Sequence, residues 1–232
     1  MTTRQPAAAT GTTPGTGGDV VARTEGRVRT HLAGDTSGHD WWHVERVRRL
    51  ALRLAAEEGA DPLVVELAAL LHDVDDWKAS GDPDASAAHA RAWLTSLGLE
   101  PALVEHVTAI VAGVSFKGAG VPTPMATLEG RVVQDADRLD ALGAIGIARA
   151  FAWGGSRGRP LHDPGAAPEL HASFEAYRAS AGGTLNHFHE KLLLLRERMQ
   201  TASARRIADE RHAYMEEYVR RFLREWAGED GS

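Results

Sequence analysis

The chain has 232 residues, 26 of them Lys or Arg against 32 Asp or Glu, and its formal net charge of -6 gives no reason to expect polymeric nucleic acid or an anionic membrane as partner. It contains no cysteine, which excludes disulfides, thiolate metal sites and cysteine nucleophiles together, so any metal must be held by histidine and carboxylate. The length suits one domain with a continuous core.

The opening "MTTRQPAAATGTTPGTGGDV" lacks the apolar centre of a signal peptide, and its Thr, Gly, Pro and Ala cannot bury enough surface to order themselves, so residues 1–20 read as a disordered tail. No run approaches the roughly 18 apolar residues of a spanning helix, and a soluble, cytoplasmic protein is expected. From 21 to 228 a single domain is expected, with a core over about 36–150 and a C-terminal helical part over about 165–226.

Almost every periodic segment after residue 20 has helical spacing, so the class is all-α. Asp40 caps a helix whose stripe is Val44, Val47, Ala51 and Leu54, and Gly59 stops it. Asp61-Pro62 starts the next, with Leu63, Leu67, Leu70 and Leu71 on its buried face, and that helix ends on His72. A third covers Ser86 to Leu97, and a fourth begins at Pro101. "SFKGAGVPTP", Ser115 to Pro124, is a loop, and one long helix is expected from about Thr127 to Phe151. "WGGSRGRPLHDPGAAPE" has too much Gly and Pro for a helix, and a loop of that length in a compact domain is usually functional or disordered. From Thr184 the chain is expected to be helical nearly to Trp226, with a seam near Thr201–Ala204.

The segment "ELAALLHDVDDWK" runs an apolar helix into His72, Asp73, Asp75 and Asp76. Three acids at a helix C-terminus repel one another and oppose its dipole, so a cation must compensate them if they are not simply solvated. Taken alone, such a cluster is more often a solvated turn than a metal site. Two further segments add to it: "GHDWWHVERV" puts His43 near the start of an amphipathic helix, and "VVQDADRLDALG" puts Asp137 and Asp140 on one face among Val, Leu and Ala. A carboxylate in an apolar stripe must be paired or metal-bound, and Arg138 offers the ion-pair alternative.

These residues resemble the HD-domain superfamily of metal-dependent phosphohydrolases, whose signature is a histidine on one helix, a His-Asp pair ending the next, and an aspartate in an "ADRL"-like context on a later one. "LLHDVDD", "SFKG", "VVQDADRLDALGAIGIARAF", "GGSRGRP" and "NHFHEKLLLLRERMQT" further resemble, in order, the small stand-alone bacterial HD hydrolases of the YpgQ/YedJ type, over about residues 24–226. The resemblance implies an all-helical fold with His43, His72, Asp73 and Asp137 as ligands of one divalent ion. Manganese suits that set best, and nickel, cobalt, iron or magnesium are alternatives. It implies Asp76, four residues after His72, as the acid that orients the attacking water, with Asp75 the second candidate. Further histidines of two-metal families would fall near Ala87 and Val114, which are apolar here, while His89 and His106 are out of register.

Phosphate contacts are expected from Lys117 in its glycine-flanked loop, from Arg157 and Arg159, and from His187 and Lys191, with Arg138 either binding phosphate or bracing the site. The Trp41-Trp42 pair reads as core before it reads as a base platform. The implied activity is hydrolysis of nucleoside, especially deoxynucleoside, triphosphates to the monophosphate and pyrophosphate. Alternatives on the same site are a nucleotide phosphomonoesterase or a phosphodiesterase or hydrolase of cyclic and signalling nucleotides. A noncatalytic nucleotide-binding protein is the remote one. The expected partner is a small phosphate substrate, and the composition leaves a homodimer open.

Overall fold

The computed structural model describes residues 16–34, 40–74, 85–114, 122–170 and 182–229, and among them every regular element is helical. The all-α expectation is met. The helices are α1 Gly17–His31, α2 Trp41–Glu58, α3 Pro62–Leu71, α4 Ala85–Ser96, α5 Pro101–Val114, α6 Leu128–Asp140, α7 Gly143–Ser156, α8 Asn186–Glu190 and α9 Ala202–Ala227. Among the described residues no helix is long and apolar enough to cross a membrane. α1 begins at Gly17, inside the stretch read as a tail.

α3 lies at the centre, packed by α1, α2, α5 and α6. Its seven residues Val64, Val65 and Leu67–Leu71 are buried, so the helix that delivers His72 is fixed on several sides. Truncating one such leucine removes roughly 2–5 kcal/mol. The caps follow the sequence: Asp61 accepts from the Leu63 and Val64 amides, and Gly59 ends α2 at φ 79°, a left-handed turn natural to glycine. Glu66 is not plain helix surface, because Arg48 of α2 grips its carboxylate at 2.6 and 2.8 Å.

Two expectations about helix continuity are corrected. The long helix from Thr127 to Phe151 is two helices, α6 and α7, separated by Ala141 and an extended Leu142, with Gly143 at φ 74°. The apolar repeat hides this corner because both helices keep one face in the core, and only a left-handed glycine records the change of direction. Arg211 of α9 packs on Gly143 and donates to the Leu139 carbonyl, which also accepts from the Leu142 amide where α6 ends. The expected helix from Thr184 to Trp226 is α8, two 3₁₀ turns (Leu192–Leu194 and Arg196–Arg198) and then α9. Thr201, in the expected seam, caps α9 by accepting from the Ala204 amide.

That seam is tied to α6 by Asp135, which is fully buried and accepts from the amides of Gln200 and Thr201 and from the Thr201 hydroxyl. Burial pushes the Asp135 carboxyl up, and these donors pull it back. The acid that points away from Asp137 therefore holds the C-terminal helix in place.

Candidate metal centre

The site is built from three helices. In the first turn of α2 the His43 amide donates to the Asp40 side chain at 3.0 Å, and the His43 ring is 1 % exposed. His72 and Asp73 follow the last residue of α3, so the close pair sits where the helix is ending rather than on a regular turn. This resolves the geometric difficulty of adjacent residues, which do not share a face of a regular helix. Asp137 and Asp140, three apart on α6, supply the third side.

The polar atoms converge. His43 Nε2 and His72 Nε2 are 3.3 Å apart, and Asp137 Oδ1 is 3.4 Å from the first and 3.7 Å from the second. Asp73 Oδ2 is 3.7 Å from His43 Nε2, and donor atoms of His43, His72 and Asp73 all fall within 4.8 Å of one another. Neighbouring ligands about 2.1 Å from one ion stand about 3 Å apart, so these spacings are those of a slightly opened shell around a single cation. Two imidazoles and two carboxylates, with no sulfur, are donors for a hard or borderline divalent ion. The residues present fit such an ion.

Both rings present the correct nitrogen. His72 Nδ1 lies 2.8 Å from the Ala69 carbonyl, which can only accept, so Nδ1 carries a proton and Nε2 faces the site. His43 Nδ1 lies 2.7 Å from Asp140 Oδ2, with the same consequence. Burial is the largest single influence on His72 and opposes its charge, but the hydrogen bond to Asp137, the negative charges of Asp137 and Asp73 and the Ala69 carbonyl together outweigh it and raise the imidazole to about 9 without a metal. Asp137 is likewise held well below the usual carboxylate range: burial would raise it, and the two imidazoles overcome that. Asp140 is depressed too, since His43 and Arg46 outweigh its burial.

The expected phosphate-binding residues fall in different places. Asp75, Asp76 and Lys117 lie outside the described residues. Arg138 is buried and donates from its two terminal nitrogens to the Arg198 carbonyl at 2.5 Å and the Thr123 hydroxyl at 2.9 Å, contacts of a brace. Arg157 and Arg159 gather over Trp153, their guanidinium carbons 5.0 and 4.8 Å from the ring centre, and His187 stacks on the same indole. Lys191 lies just past α8, its amide 3.0 Å from the His187 carbonyl. Of the histidines judged out of register, His106 bonds the Thr127 hydroxyl at 3.1 Å. Trp41 packs against the core, under the Arg29 guanidinium, and Trp42 is 61 % exposed.

An HD domain model matches residues 41–142, the span that contains all four converging side chains. The Bacillus subtilis protein YpgQ is 38% identical over 205 residues, covering 88% of this chain and 92% of its own. The chain belongs to the HD superfamily. Among solved structures, a Lactobacillus plantarum protein superposes with a TM-score of 0.82 at 39% identity, covering 90% of this chain and 98% of its own. An HD-superfamily hydrolase from Bacillus thuringiensis gives 0.71 at 40%, covering 91% and 99%. YpgQ in complex with ADP gives 0.70 at 34%, covering 90% and 100%. As an HD-superfamily hydrolase the chain is a metal-dependent phosphohydrolase, and His43, His72 and Asp73 form the group able to hold the divalent ion.

Sequence patterning put Asp140 on the apolar face with Arg138 as the ion-pair alternative; its partners in the structure are His43, Arg46 and Arg149, the last two not singled out from the sequence. Arg46 donates to both Asp140 oxygens at 2.7 and 3.0 Å, and Arg149 to Oδ2 at 2.8 Å. The signal in the sequence was the second acid on the apolar face of "DADRLD"; nothing local marks Arg46 or Arg149 as its partners.

Proposed function

We propose that this HD hydrolase cleaves nucleoside triphosphates, deoxynucleotides among them, to the monophosphate and pyrophosphate. The observation that carries the reading is the convergence of His43, His72, Asp73 and Asp137 from three helices on one point, in a chain whose relative YpgQ was solved with ADP. All four residues would hold the ion, manganese by preference. When bound, the ion supplies positive charge beside a phosphate oxygen and lowers the pKa of a water.

The rest falls to side chains. Asp76 takes the proton of the attacking water as the water oxygen bonds to the α-phosphorus, with Asp75 the alternative acceptor, and the bridging bond to the β-phosphate breaks so that pyrophosphate leaves with its electron pair. Lys117, His187 and Lys191 meet phosphate oxygens. Arg157 and Arg159 serve the same end, and their stacking on Trp153 supports this: guanidiniums already held on an aromatic face lose less freedom when they clamp an anion. Arg138, next to Asp137 in the chain, braces α6 against the Arg198 carbonyl and the Thr123 hydroxyl.

The test is a screen of manganese, magnesium, cobalt and nickel against nucleoside mono-, di- and triphosphates and cyclic dinucleotides, with products read by phosphorus NMR. Monophosphate plus pyrophosphate is expected, and it should vanish in His72→Ala and Asp73→Ala. Orthophosphate as the sole inorganic product would make the protein a phosphomonoesterase, and turnover restricted to cyclic dinucleotides a phosphodiesterase. Tight nucleotide binding without any product would make it a sensor.

A further inference from the structure

The helix corner at 141–143 has a consequence for the metal centre. In one continuous helix, residues 140 and 149 would stand about 13.5 Å apart along the axis. Instead α7 doubles back, and Arg149 reaches Asp140 at 2.8 Å. Arg46, three residues after His43 and therefore on the same face of α2, reaches the same carboxylate. Asp140 Oδ2 thus receives His43 Nδ1, Arg46 and Arg149, while Oδ1 takes Arg46 Nε. The carboxylate is 4 % exposed and saturated by donors from α2 and α7.

We infer that Asp140, clamped by Arg46 and Arg149, is the positioning residue for the metal ligand His43: it fixes the ring's tautomer and tilt so that Nε2 faces the ion. Two features separate this from an ordinary buried ion pair. The shortest contact of Asp140, shared with Arg46 Nε, is to a ligand imidazole rather than only to a cation. The charge also balances in the right direction. A lone carboxylate behind His43 would add negative charge to a site that must accept phosphate, whereas one carboxylate held by two guanidiniums leaves the wall net positive. A partner of this kind usually accounts for a 10- to 100-fold change in metal affinity, at about two further bonds' distance from the ion.

The inference rests on the assignment of His43 as a ligand and not on which nucleotide is cut. The experiment measures manganese affinity by calorimetry on folded protein, alongside the melting temperature of the metal-free form. Asp140→Ala should weaken manganese binding 10- to 100-fold, and the isosteric Asp140→Asn roughly tenfold. Asp135→Asn serves as the structural control: it removes a buried carboxylate of the same helix that touches no ligand, so it should lower the melting temperature and leave affinity within about twofold. If His43→Ala keeps manganese affinity, the ligand assignment fails. If His43→Ala loses it while folded Asp140 variants bind like wild type, the positioning role fails. A second readout needs no variant at Asp140: in wild-type protein loaded with diamagnetic zinc, the His43 Nδ1 proton should give a slowly exchanging downfield NMR resonance. Its absence overturns the inference.

Discussion

Metal binding here should be a proton-release reaction, and the size of the effect follows from His72. In the metal-free protein this imidazole is raised from 6.5 to about 9: burial pulls it down, and the hydrogen bond to Asp137 with the charges of Asp137 and Asp73 and the Ala69 carbonyl together more than offset that. An ion needs the Nε2 lone pair, so below about pH 9 it must displace a proton from His72. Manganese affinity should therefore rise by about tenfold per pH unit between about 6.5 and 9 and then level off. At pH 7.5 close to one proton should leave per ion bound. Titration calorimetry in buffers of different ionisation enthalpy counts that proton directly. The same shift makes a statement about stability. The folded value lies above the unfolded one, so the stabilisation is fully present below about pH 6.5 and is lost as pH rises through about 9. The shift bounds that contribution at about 3 kcal/mol, and the group is buried enough that solvent screening removes little of it. The metal-free protein should accordingly melt lower at pH 9.5 than at pH 6.5. No proton release at pH 7.5, combined with a pH-independent affinity, would refute the claim that His72 and Asp137 share a proton that the ion replaces.

Four other outcomes are expected. Asp76→Asn should cut kcat by about 10²- to 10⁴-fold while leaving manganese affinity unchanged, and Asp75→Asn should do less, as measured by steady-state kinetics beside calorimetry. Arg157→Ala and Trp153→Ala should each raise KM for a triphosphate by about tenfold with kcat within a few-fold, since each loosens the same stacked clamp. Asp135→Asn should destabilise the fold by about 3 kcal/mol, a drop of roughly 6–12 °C in Tm, because the bonds it accepts from Gln200 and Thr201 anchor α9 to α6. Gly146→Ala should lower both stability and metal affinity, because a Cβ there would strike the Ala141 carbonyl and open the corner that returns Arg149 to Asp140.

Local sequence was enough for the helical class and for the caps at Asp40 and Asp61, because caps and apolar periodicity act over one or two turns. The ordered set of His43, His72-Asp73 and Asp137 was legible through its resemblance to the HD-domain signature, and the structure brings those side chains together. Only the tertiary structure decided what supports them. The Asp140 clamp joins residues 94 and 97 apart in the chain, and it depends on a left-handed Gly143 that turns an apolar run into two helices. Helical spacing already sets Asp135 off the face shared by Asp137 and Asp140, but that it holds the chain at Gln200 and Thr201 is visible only once the helices are packed. Local pattern says which face an acid occupies; which distant group meets that face is a property of how the helices pack.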